Sequence, residues 1–139
     1  MHLRFSEQYP FHDDGTFLYP MCPVTLIGKG SQQITTYALV DTGADTTMLH
    51  ARWLDRLGLR LKSGRAEKRW GIDNKAIDVY VHRIWLKIGN RKRVRCEVAF
   101  SEQIGDDPGD QLLGRETVFD ELRFAFRQRV GMFYLNAEI

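Results

Sequence analysis

The chain has 139 residues, 43% hydrophobic and 27% charged, with a formal net charge of +2. That length suits one domain, residues 1–139, with a core of its own, and the composition is ordinary globular usage. The charge is too small to argue for nucleic acid or a membrane surface as a partner, and no run approaches the ~18 apolar residues of a spanning helix. The opening Met1-His2-Leu3-Arg4 lacks the basic-then-apolar layout of a secretion signal, so a cytoplasmic setting is expected.

Residues 1–20 read as an irregular arm with scattered aromatics, a turn at Asp13-Asp14-Gly15 and at most one strand. From Pro23 the texture becomes β. Val24–Ile27 and Ile34–Val40 flank a turn at Gly28–Ser31, and the apolar run Ala38-Leu39-Val40 stops at Asp41-Thr42-Gly43. Leu49, Trp53, Leu54 and Leu57 share one face of a helix over Ala51–Leu57, with Gly58 placed as its left-handed C-cap. Strands follow at Ala66–Trp70 and Ala76–Val81 around a turn at Gly71–Asn74. A second hairpin joins Ile84–Ile88 to Val94–Phe100 through Gly89-Asn90. After a loop at residues 105–110, Leu112-Leu113-Gly114-Arg115 leads into a helix over Glu116–Glu121. A last hairpin pairs Arg123–Phe126 with Met132–Leu135. Many short strands with two short helices predict a mostly β domain.

The basic run Arg91–Arg95 alternates with Val94 and Cys96, which suits the wet face of a strand; a phosphate-binding patch is the rival reading. Cys22 and Cys96 stand apart, without the spacing of a metal site, so no metal and no cofactor are expected. Both suit small core positions, and a disulfide between them stays open.

Asp41-Thr42-Gly43 has a plain reading as a turn, because Asp and Gly are turn residues and Thr caps helices. Its setting argues for chemistry instead. An apolar strand delivers the carboxylate, a small residue follows, and an apolar-apolar-Gly segment echoes it later. Glycine permits a sharp departure of the backbone and close approach of a substrate.

The segment Ala38-Leu39-Val40-Asp41-Thr42-Gly43-Ala44-Asp45-Thr46-Thr47-Met48-Leu49 resembles the active-site segment of retropepsins, the retroviral type of aspartic protease, and Leu112-Leu113-Gly114-Arg115 resembles their second signature. The resemblance runs loosely over residues 23–135. The helix after Leu49 is closer to cellular and bacterial members than to the compact viral enzymes. It implies a closed, barrel-like acid-protease domain active as a homodimer on polypeptide substrates. Asp41 would be the catalytic carboxylate, Thr42 a donor locking the two loops together, and Gly43, Ala44 and Asp45 substrate contacts. Leu113 and Gly114 would support the loop from beneath, and Arg115 would pair with Asp45 in bidentate fashion. The flap would fall at Trp70–Lys75, with Gly71 and Ile72 touching substrate, although its tip is more polar than in viral members. Cys22 stands where viral members commonly carry an interface arginine. The strand Met132–Leu135 reads either as a dimer-interface element or as a core strand of one subunit. A non-catalytic dimeric β module of the same fold is the alternative function.

One motif of this kind supplies one carboxylate. Hydrolysis through a shared proton needs two, and the second would come from a second copy across a two-fold axis.

Overall fold

Apolar residues at every second position, punctuated by glycine turns, make this chain mostly β. The computed structural model describes residues 4–70, 73–105 and 107–137. Twelve strands and two short helices follow in order: β1 Glu7–Pro10, β2 His12–Asp13, β3 Leu18–Tyr19, β4 Met21–Ile27, β5 Gln33–Val40, β6 Thr47–His50, α1 Arg52–Arg56, β7 Arg65–Trp70, β8 Ala76–Ile88, β9 Lys92–Ser101, β10 Leu112–Leu113, α2 Val118–Glu121, β11 Leu122–Arg127 and β12 Met132–Ala137.

The main sheet runs β4-β5-β10-β6-β9-β8-β7, and β4 pairs with β8 as well. That extra pairing, Val24 opposite Ile88 through Ile27 opposite Trp85, closes six strands into a barrel, leaving β7 outside as one arm of a hairpin with β8. Val24, Leu26, Leu86, Ile88, Val98 and Phe100 fill the interior. Cys22 and Cys96 are buried there as free thiols, which settles the question of a disulfide. Burial pushes each thiol up to about 12.

Several expectations are corrected. The segments Ala76–Val81 and Ile84–Ile88 are one continuous strand, because β8 pairs with β9 without a break from Tyr80 opposite Phe100 to Ile88 opposite Lys92. The buried side of β8 changes from Val79 and Val81 to Ile84, Leu86 and Ile88. Its first half borders a small cluster with Ala99 and Met48, and its second half borders the barrel interior; a change of face reads in sequence as a break. The N-terminal arm holds three strands, with β1 antiparallel to β12 and Phe11 in the core. Strand β12 has β1 on one side and β11 on the other, and buries Phe133 and Leu135. Over Met132–Leu135 it is paired on both sides within the chain.

The first helix is α1, with Gly58 at φ +73° where the C-cap was expected. The second is shorter than Glu116–Glu121. The N–H of Glu116 donates to the carbonyl of Asp45, and Thr117 takes φ +67°, so helical geometry starts only at Val118. No helix among the described residues is long and apolar enough to cross a membrane.

Candidate active site

Asp41 leaves the end of β5 and is held by the strand beside it. Strand β10 runs parallel to β5, Leu113 opposite Val40, and antiparallel to β6, Leu112 opposite Met48. It therefore threads between the strands that enter and leave the 41–46 loop. The Leu113 carbonyl accepts the Asp41 N–H at 3.1 Å, extending the parallel ladder by one rung and fixing where the carboxylate begins. Its Oδ1 then accepts the N–H of Gly43 at 2.8 Å. A Cβ on Gly43 would sit 3.1 Å from that same oxygen, so a side chain there would press on the carboxylate.

Gly114 has a stricter reason to be glycine. An added Cβ would lie 2.5 Å from the Thr46 carbonyl carbon, a backbone atom that cannot rotate away. The close approach is used: the Gly114 N–H donates to Thr47 Oγ1 at 3.0 Å in a buried setting. Thr47 and Leu113 are themselves fully enclosed.

Arg115 ties the loop's outer half. Its backbone N–H donates to the Ala44 carbonyl at 2.9 Å, and Glu116 N–H to that of Asp45 at 2.9 Å. One guanidinium nitrogen donates to the Thr42 carbonyl at 2.5 Å and another forms an ion pair with Asp45. The expected pairing is present but not bidentate, because the fork is split between a carboxylate and a carbonyl. The ion pair itself is 48% and 71% exposed, so its direct contribution to stability is small, about 0–1 kcal/mol. Its effect is to hold the loop's shape. Thr42, Ala44 and Asp45 thus spend their carbonyls within the subunit, and Gly43 alone in that run keeps a carbonyl with no partner among the described residues. The Thr42 hydroxyl likewise has none, and Thr42, Gly43 and Asp45 are exposed.

Gln111 was missed by the sequence reading. It is 2% exposed and meets all four of its hydrogen-bonding capacities. Its Oε1 accepts from the His50 N–H at 2.9 Å and Trp53 Nε1 at 2.8 Å. Its Nε2 donates to Thr36 Oγ1 and the Tyr37 carbonyl, both at 2.9 Å. One amide thereby joins β5, the end of β6 and α1 at the root of β10. A lone Gln beside an acidic loop carries no signal of that role.

The hairpin of β7 and β8 is present, with Trp70 opposite Ala76, but Gly71 and Ile72 lie outside the described residues. A cavity of about 1150 Å³ lies between the N-terminal arm and residues 107–110, with Leu39 and Met21 in its wall. Residues 41–45 do not line it. No group of His, Cys, Asp or Glu among the described residues is arranged to hold a metal.

A family model described as aspartyl protease matches residues 23–117, more than half of the chain. Among solved structures, a retropepsin-like aspartic protease from Rickettsia conorii is similar at 16% identity, covering 99% of this chain and 100% of that one with a TM-score of 0.59. The EIAV protease in complex with the inhibitor HBY-793 is 20% identical, over 78% of this chain and 93% of that one, with a TM-score of 0.47. No curated protein sequence matches. At such identities the Rickettsia structure speaks to the fold, which is the retropepsin-like one.

Proposed function

The chain belongs to the aspartyl protease family, and from that premise we propose that it is an aspartic endopeptidase built from two copies, each contributing Asp41. The observation that carries the reading is the loop itself. Asp41 is set by the Leu113 ladder bond and the Gly43 N–H, while Thr42, Gly43 and Asp45 point unsatisfied capacity outward. A second copy related by a two-fold axis places its Asp41 beside the first, and each Thr42 hydroxyl donates into the other loop.

Two carboxylates a few ångströms apart do not both ionise cheaply, so the pair holds one proton. The ionised Asp41 takes a proton from water as its oxygen bonds to the amide carbon. The protonated one gives its hydrogen to the carbonyl oxygen, making a neutral tetrahedral diol. A carboxyl proton then passes to the nitrogen while the other carboxylate takes one from a diol hydroxyl. The C–N bond breaks, an acid and an amine leave, and the pair again holds one proton. Substrate backbone is held by the free Gly43 carbonyl and by the Asp45 carboxylate that Arg115 orients, with Ala44 flooring the cleft. The β7–β8 hairpin closes over the substrate.

A peptide-library cleavage assay across pH 3–8, on wild type and Asp41→Asn, tests this. Wild type shows a bell-shaped profile on the acidic side of neutral, and the variant loses cleavage while sedimenting as the same dimer. Cleavage that persists unchanged in the variant overturns the assignment.

A further inference from the structure

In sequence the run Arg91–Arg95 looks like the wet side of a strand, but β8 brings a second strand's worth of residues alongside it. On one sheet face Trp85 lies opposite Arg95 and Lys87 opposite Arg93, with Arg83 and Glu97 next in the ladder. The opposite faces of both strands are buried, at Ile84, Leu86, Val94 and Cys96, so these side chains share the outer surface. Trp85 is 47% exposed. Among the described residues Lys87, Arg91, Arg93 and Arg95 make no ion pair; Glu97, the nearest carboxylate on this face, is taken by Arg65 at 3.2 Å. The rings covered by a guanidinium belong to Trp53, not Trp85.

Two features set this apart from an ordinary solvated face. Like charges directly opposite on neighbouring strands are destabilising, and Lys87 facing Arg93 is such a pair, with no carboxylate between. On a chain whose net charge is only +2, four cations fall within the five positions 91–95. Acidic side chains lie on the other side of the β8–β9 turn, where Asp13, Asp14, Asp107 and Asp110 line the cavity that Asn90 also borders.

We propose that Trp85, Lys87, Arg91, Arg93 and Arg95 form a binding surface for single-stranded nucleic acid. The cations by themselves would accept any polyanion. An uncovered indole among them selects for one with planar rings, since every base has a π-face to stack and an acidic peptide does not. Cations two residues apart on one strand, about 7 Å, and one step across to the next strand follow an extended backbone. Such binding falls with salt as counterions are released.

The test is anisotropy of a labelled oligo-dT dodecamer titrated with the full chain between 50 and 200 mM salt. Four engaged cations give a slope of log K on log salt near −3, at about 0.7 per phosphate on a single strand. Trp85→Ala weakens binding about tenfold and leaves the slope unchanged; Arg93→Gln with Arg95→Gln lowers the slope by between one and two. Trp85→Phe and Arg93→Lys with Arg95→Lys keep most of the affinity, which separates loss of contacts from loss of fold. No binding at 50 mM salt overturns the proposal. So does equal competition by a glutamate dodecapeptide together with an indifferent Trp85→Ala, which would make this a surface for acidic protein.

Discussion

Replacing Gln111 by leucine tests whether a single buried amide anchors the strand beneath the Asp41 loop. The side chain is close in volume, so the change isolates the hydrogen bonds. Four are lost, to the His50 N–H, Trp53 Nε1, Thr36 Oγ1 and the Tyr37 carbonyl. At about 1 kcal/mol net for each, and more where a buried partner finds no substitute, the loss comes to about 4 kcal/mol. Extra apolar burial returns less than about 1 kcal/mol of it. A domain of this size has a total stability of about 5–15 kcal/mol, so the variant folds but lies near the edge. Urea unfolding followed by tryptophan fluorescence reads this directly, because Trp53 is one of the partners. The midpoint falls steeply with little change in slope. Gln111→Glu adds a sign. Its carboxylate still accepts from Trp53 and His50, but its other oxygen faces the Tyr37 carbonyl, which cannot donate. Only the protonated acid restores that bond, so the folded pKa is raised. The rescued stability is present below about pH 4.3, the ordinary glutamate value, and is lost as pH climbs through the folded pKa. The reasoning is refuted if Gln111→Leu stays within about 1 kcal/mol of wild type, or if Gln111→Glu shows no recovery in acid.

Four further outcomes are expected. Gly114→Ala drives a methyl into the Thr46 backbone and costs about 2–3 kcal/mol by overpacking, read by thermal unfolding, with cleavage lost as the loop shifts. Arg115→Lys keeps one contact of the two made by the guanidinium; stability moves by less than about 1 kcal/mol, while kcat/KM falls at least tenfold in a peptide assay. Thr42→Val removes an exposed hydroxyl that has no partner among the described residues, so the monomer's melting temperature holds while sedimentation shows a weaker dimer. Cys22 and Cys96 have thiols pushed up to about 12 by burial. Since the unfolded thiols ionise near 8.5, their contribution is intact below that pH and fades between about 9 and 12, by up to about 1.4 kcal/mol per pH unit for each. Urea midpoints at pH 8 and 10 show the decline, and Cys22→Ala with Cys96→Ala flattens it.

What could be read in the sequence was whatever the backbone demands locally. Gly58 and Gly89 sit at positive φ where turns were expected, and Gly114 is glycine because a neighbouring strand leaves no room; both needs are written in residue type. Asp41 was visible because an apolar strand ends there. Contacts set by which strands adjoin were not visible. Gln111 reaches partners between 58 and 75 residues away, and nothing in its neighbours marks it as buried. The β8 strand shows the same limit in a different form. Its alternation is faultless on each side of Arg83, but the buried parity reverses because the strand passes from one cluster to another, and periodicity taken over a short window sees only the discontinuity. The same reversal turns Trp85 and Lys87 outward beside Arg93 and Arg95. The basic run and the hairpin that sets Trp85 and Lys87 beside it are local, and both were legible. The change of buried side along β8 was not, because it depends on the sheet's closure through β4 and β8, a pairing between residues some 60 positions apart.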